Sequence, residues 1–309
     1  MRESGTLRNM MSELQSSISE IQADESLSNA LSNTLSASNA ESLLAQCEQA
    51  LGDVNTKPKL RIIHHLACSG GTLISKCISA LPNVYLLSEL HPTTTLHMGG
   101  GRPKFLPADV TTQARYANVP DVNDLAWKIF ESNIQLAQKH VLSFGGHLVI
   151  RDHTHSDFCV GADVAENSSI VRHLAPYFDI LRVATIRNPI DAYLSLVSNN
   201  WEHFEPKGFE EYCKRVQSFL CEFKPNQIIK YEDIVKQPQN NIKKIASKLE
   251  LPYSDSFIDT FSAFTVTGDS GRSGTTISER SRREIPQPLM KEIKQSKSFK
   301  RIATKLKYK

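Results

Sequence analysis

Two stretches of this 309-residue chain pass from a β-branched apolar run, through a short turn, into a helical pattern. Leu60 to Leu66 is followed by Ala67-Cys68-Ser69-Gly70-Gly71-Thr72 and then by Ile74, Cys77, Ile78 and Leu81 at helical spacing. Ile180 to Ile186 is followed by Arg187-Asn188-Pro189, where Asn188 supplies an N-cap and Pro189 a pre-set first helical residue. Further strand patterns run from Val84 to His91 before Pro92, from Leu148 to His155 and from Gln227 to Tyr231, and helical stretches cover 125–142 and 240–249. Strands alternating with helices confine the chain to an α/β architecture, a parallel sheet flanked by helices.

Both turns carry the chemistry of an anion site. The unpaired N–H groups at a helix start hold a partial positive charge. The guanidinium of Arg187 fits a phosphate bidentately, and Ser195 adds a hydroxyl further along the same helix. Asp191 shares that helix face and is expected to orient the arginine or cap backbone donors rather than touch an anion. At the first turn, Gly70 and Gly71 let backbone approach a phosphate closely, while Ser69 and Thr72 offer hydroxyls. The spacing is not that of a Walker A loop, since Gly-Lys-Ser/Thr after four intervening residues is absent.

Taken together these two segments resemble the sulfotransferases that use 3′-phosphoadenosine 5′-phosphosulfate (PAPS). Arg187 and Ser195 match the family's 3′-phosphate positions. Ser69, Gly70 and Thr72, with Cys68 and Gly71 between and beside them, match its 5′-phosphosulfate loop. The resemblance implies a P-loop nucleotide-binding-like sulfotransferase fold over about 59–285, PAPS as sulfuryl donor, PAP (adenosine 3′,5′-bisphosphate) as product and no metal. It also implies a departure. Cys68 stands where the family has a lysine that neutralises charge on the leaving bridging oxygen. Lys76 is the nearest substitute on the same helix, but at ~100° per residue it lies opposite the Ile74/Ile78/Leu81 stripe and is expected to face solvent.

Transfer to a hydroxyl needs a base, and two strand ends offer one. Val84 to Leu90 carries Glu89, and Leu148 to Asp152 leads into His153 and His155. The resemblance supports both types, a histidine after a central strand or a glutamate near the place of Glu89, so His153, Glu89 and His155 remain candidates together. His-X-His beside a carboxylate also suits zinc, yet no third and fourth ligand follow at a recognised spacing. Late in the chain, Gly268-Asp269-Ser270-Gly271-Arg272-Ser273-Gly274 reads as a binding loop, with Arg280, Arg282 and Arg283 close behind. It resembles the basic loop with which several sulfotransferase branches close the 3′-phosphate site, and Arg272 is its first candidate.

Residues 1–55 hold eleven serines, eight acidic and two basic residues, a net −6 against +3 for the whole chain and hence +9 beyond. We read 1–56 as an acidic, serine-rich extension, helical or partly disordered, and 57–309 as the catalytic domain. A basic domain suits a polyanionic donor; no RNA-binding pattern with interleaved aromatics appears. Met11, Leu14, Ile18 and Ile21, then Leu43, Leu44, Cys47 and Leu51, suggest amphipathic helices that could dock on the domain or join two copies as a homodimer. The lysine-rich C-terminus reads as a solvated helix face. No secretory signal core or membrane-spanning run is present, and the six cysteines, at 47, 68, 77, 159, 213 and 221, show no close redox or metal pair. The expected location is the cytoplasm.

The expected activity is therefore sulfuryl transfer from PAPS to a hydroxyl or amine of a small-molecule or carbohydrate acceptor, with residues 96–118 as an acceptor-side loop or lid. Two rivals remain at this stage. One is a PAP-binding module that has lost turnover, motivated by Cys68. The other is a small-molecule kinase, in which Asp152 at a strand end would serve magnesium and ATP.

Overall fold

The computed structural model describes Ser16 and residues 57–96, 108–267, 276–279 and 281–308. The proposed amphipathic helices of the extension, the late loop with Arg272, and residues 97–107 lie outside the described residues.

Five strands form one parallel sheet: β1 (Lys59–His64), β2 (Val84–Leu90), β3 (His147–Asp152), β5 (Asp179–Ile186) and β7 (Ile228–Lys230), in the order β2-β3-β1-β5-β7. A second, two-stranded parallel sheet pairs β4 (Val160–Gly161) with β6 (His203–Phe204). The central strands β1 and β3 are short and buried on both faces because residues of opposite parity serve different layers. Ile63, Val149 and Val183 pack under the helices Gly71–Ser79 and Pro238–Lys248. Leu60, Ile62, Leu148 and Ile150 face the other side, with Ile134 of the long helix Val122–Ser143 and Ile170 of Ser169–Leu174. A third cluster joins Ala184 and Ile186 to the helices Pro189–Ser198 and Phe209–Cys221 and to Leu289 and Ile302 of the two C-terminal helices, Gln287–Gln295 and Lys297–Leu306. The lysines of those last helices lie on the face away from this cluster, as a solvated basic face requires.

The chain leaves β1 for β2 and β3 on one side, then crosses to β5 and β7 on the other, so β1 is the topological switch point of the sheet. Ligands of open parallel sheets bind beyond the C-terminal strand ends at such a point. Here those ends deliver His65 to Gly70, Glu89, His153, Arg187 and Tyr231 to one edge.

Three local expectations change. Tyr231 opens a helix, Tyr231–Lys236, instead of ending its strand. Asp191 pairs with Arg282 through both carboxylate oxygens, at 2.9 and 3.2 Å, and not with Arg187. Lys76 lines a cavity instead of facing solvent, because the helix that bears it is covered on more than its apolar stripe, Phe261, Thr276 and Ser278 lining the same cavity.

Candidate functional site

A cavity of about 650 Å³ opens at the strand ends. Its wall brings together Cys68, Gly70, Gly71 and Thr72 from the first turn, Arg187 and Ser195 from the second, and Glu89, His153 and His155 from β2 and from the turn after β3. Ten of the eleven residues nominated from sequence are described, and nine of these ten line this one cavity. Ser69 is the exception: it is fully buried behind the wall, and its hydroxyl has no hydrogen-bond partner.

The first turn is built by close packing. Cys68 and Gly70 both adopt left-handed backbone, φ 65° and 84°. A Cβ on Gly70 would lie 2.3 Å from Cδ2 of Tyr231, and one on Gly71 would lie 1.8 Å from Nε2 of His65. The two glycines thus admit a tyrosine and a histidine against the loop backbone, a demand that the sequence pattern did not separate from close approach of a phosphate. Gly70 is the N-cap of the helix Gly71–Ser79, no side chain caps it, and its first turn holds no acid, so its leading N–H groups face the cavity uncompensated.

The second turn follows the sequence reading closely. The Asn188 side chain accepts from the N–H of Ile190 at 3.0 Å, and Pro189 is the first helical residue. The backbone N–H of Asn188 donates to Glu232 Oε1 at 2.7 Å, and the Tyr308 hydroxyl donates to the other oxygen of that carboxylate at 3.1 Å. Arg187 donates to the carbonyl of Cys68 at 3.4 Å and lies over the Tyr231 ring, 5.4 Å from its centroid. One arginine therefore ties the two turns into a single rim.

On the opposite wall, Arg151 of β3 is buried and holds Glu89, Ser88 and His65. It forms an ion pair with Glu89, donates from Nη1 to Ser88 Oγ at 3.0 Å, and donates from Nε to His65 Nε2 at 2.7 Å. Burial pushes the Glu89 carboxyl up from its ordinary range, and Arg151 opposes that rise. His153 Nε2 is 3.8 Å from the second Glu89 oxygen. His155 is buried against His203, with 3.3 Å between Nε2 and Nδ1, and burial, aided by the neighbouring imidazoles and Arg215, holds its pKa down to about 3. Asp152 turns away from the cavity into a buried set with His64, 2.8 Å away, Thr154 and Ser168, which removes the placement on which a magnesium role depended.

Arg151 and His65 are wall residues that pattern reading passed over. The signal was available in principle: an arginine inside the otherwise apolar Leu148-Val149-Ile150 run, and a histidine at the end of a β-branched strand, are buried polar groups that require partners. Among the described residues no group of three or more histidine, cysteine or acidic side chains is arranged to hold a metal ion, and no helix is long and apolar enough to cross a membrane.

A sulfotransferase domain from the curacin biosynthetic pathway superposes on this chain with a TM-score of 0.51 at 16% identity, covering 82% of this chain and 99% of that one. The chain has the sulfotransferase fold. A sulfotransferase domain from the olefin synthase of Synechococcus PCC 7002 is similar with a TM-score of 0.40 at 13% identity, over 67% of this chain and 78% of its own. A mouse sulfotransferase complexed with PAP is similar with a TM-score of 0.42 at 11% identity, over 82% and 85%. No family model matches the sequence, and no curated protein matches it. Within the sulfotransferase fold of this chain, the cavity sits at the switch point, between the two turns that Arg187 joins.

Proposed function

We propose that the protein is a PAPS-dependent sulfotransferase acting on a hydroxyl-bearing small molecule or carbohydrate. The observation that carries this reading is the Arg187 rim, because it sets two separate anion turns on one cavity, as a donor with a 3′-phosphate and a 5′-phosphosulfate demands. The wall chemistry fits such a donor. Among the described residues three cations, Lys76, Arg151 and Arg187, line it against one carboxylate, Glu89. The catalytic unit is 57–309.

Arg187 and Ser195 would hold the 3′-phosphate, with Arg272 closing that end. The backbone of 69–72 and the Thr72 hydroxyl would hold the phosphosulfate, which supplies the electrophilic sulfur. His153 is the base. It is partly exposed on the wall and lies beside Glu89, whereas His155, held neutral down to about pH 3, is too weak a base to take a hydroxyl proton. Glu89, fixed by Arg151, orients His153 and stabilises the imidazolium that forms as the proton arrives. Positioning and electrostatic stabilisation supply the remainder, as in phosphoryl transfer.

The test is release of PAP from PAPS over a panel of phenols, sugars and alcohols. His153→Ala should reduce turnover by about 100-fold or more with PAP affinity retained. Retained turnover in that variant would reassign the base, and PAP binding without turnover on any acceptor would favour the module reading that Cys68 motivates.

A further inference from the structure

The buried contacts around Arg151 join the donor loop to the base. Gly71 opens the loop helix, and its Cα stands so close to His65 that any Cβ would overlap the ring at Nε2, Cδ2 and Cε1. The same Nε2 accepts from Arg151 Nε at 2.7 Å. Arg151 in turn grips Glu89, whose backbone is held at φ 58°, and Glu89 faces His153 across 3.8 Å. Every link is a van der Waals contact, a hydrogen bond or an ion pair, and His65 and Arg151 are 4% exposed each.

We propose that His65 is a positioning residue: a neutral acceptor that fixes Arg151 against Glu89 and makes the alignment of the Glu89/His153 pair depend on the donor loop at Gly71. The inference rests on the sulfotransferase reading for its consequence in turnover, but not for its chemistry. An imidazole that accepts at Nε2 must carry its proton on Nδ1, and it cannot become an imidazolium without losing the bond to Arg151. The surroundings enforce this state. Burial and the neighbouring Arg151, His64 and His153 all disfavour a charge on the ring. Loop and base thus respond together, because a shift at Gly71 moves His65, and with it the acceptor that the Arg151 Nε–H uses.

Two measurements test it on the full chain. The first is the 15N spectrum of the histidine rings between pH 5 and 8. The expected result is a His65 ring that stays neutral and protonated on Nδ1 throughout and whose Nε2 resonance moves when adenosine 3′,5′-bisphosphate is added. A ring protonated on Nε2, or one titrating within that range, overturns the proposal. The second compares His65→Leu with His65→Gln, whose amide oxygen can accept in place of Nε2. Loss of the acceptor should lower PAP release from PAPS by about 100-fold with bisphosphate affinity within about threefold, the scale of an ångström-sized misplacement, and His65→Gln should recover most of it. Equal turnover in His65→Leu, or an equal loss in both variants, overturns the positioning role. If the unsubstituted protein does not bind the bisphosphate, the sulfotransferase reading fails while the ring spectrum still decides the His65–Arg151 bond.

Discussion

At the scale of single residues, Arg187 and the buried histidines make opposite kinds of prediction. In the proposed reading Arg187 would give charge-assisted donors to the 3′-phosphate, so Arg187→Ala should weaken PAP binding by about 10- to 100-fold, read by calorimetry, with little loss of fold stability. Unchanged affinity would remove the 3′-phosphate assignment. The histidines act on the fold itself. His65, His147 and His155 have folded pKa values below the ordinary 6.5, His147 at about 4 and His155 at about 3, with burial the first cause in each. The unfolded chain therefore binds more protons than the folded one between these values and 6.5. Stability from these groups is complete above about pH 6.5 and is lost as the pH falls from there toward 4. Melting temperature should drop over that interval, and replacing His147 with Gln should shallow the slope; a flat profile would show that these rings are not held neutral.

At the scale of elements, the two turns differ in what a single change costs. Gly71→Ala places a methyl group on the His65 ring, and Gly70→Ala adds the penalty of left-handed backbone to contact with Tyr231. Each should destabilise the fold by about 1–3 kcal/mol and abolish stabilisation by PAP, as measured in parallel melts. A Gly71→Ala protein that still gains full stability from PAP would show that the loop tolerates what its packing forbids. The elements were readable from sequence where local chemistry fixes them. Asn188 and Pro189 start a helix by capping and by a fixed φ, and β1, β3 and β5 are β-branched runs bounded by turns. Lys76 was misplaced for the complementary reason. Helical periodicity assigns the buried stripe of an isolated helix, but the cover contributed by Phe261, Thr276 and Ser278 comes from nearly two hundred residues away, beyond the reach of any local window. Asp191 fails in the same manner, since its partner Arg282 is brought to it by the fold of the chain's last quarter.

At the scale of the molecule, a buried arginine outside the cavity fixes the flank on which the second turn rests. Arg215 is fully buried and donates to the carbonyls of Phe158, Gly161, Ala162, Asp163 and Glu205 while pairing with Glu211. It binds the small β4–β6 sheet to the helix Phe209–Cys221. Arg215→Met should cost at least about 3 kcal/mol of unfolding free energy, because the carbonyls and the Glu211 carboxylate would be left without their donor; a loss below about 1 kcal/mol by urea denaturation would contradict this. The parallel order and the switch point at β1 explain why chemistry spread from Cys68 to Ser195 converges on one cavity. Its three cations and two anion turns make a single central claim, that the cavity is built for a nucleotide phosphorylated at both the 3′ and 5′ positions. Thermal stabilisation by adenosine 3′,5′-bisphosphate, 5′-AMP and magnesium-ATP tests that claim most directly. The account predicts a melting shift with the bisphosphate well above that with either other nucleotide, and one that disappears in Arg187→Ala. A shift with magnesium-ATP alone, or an equal shift with 5′-AMP and the bisphosphate, would contradict it.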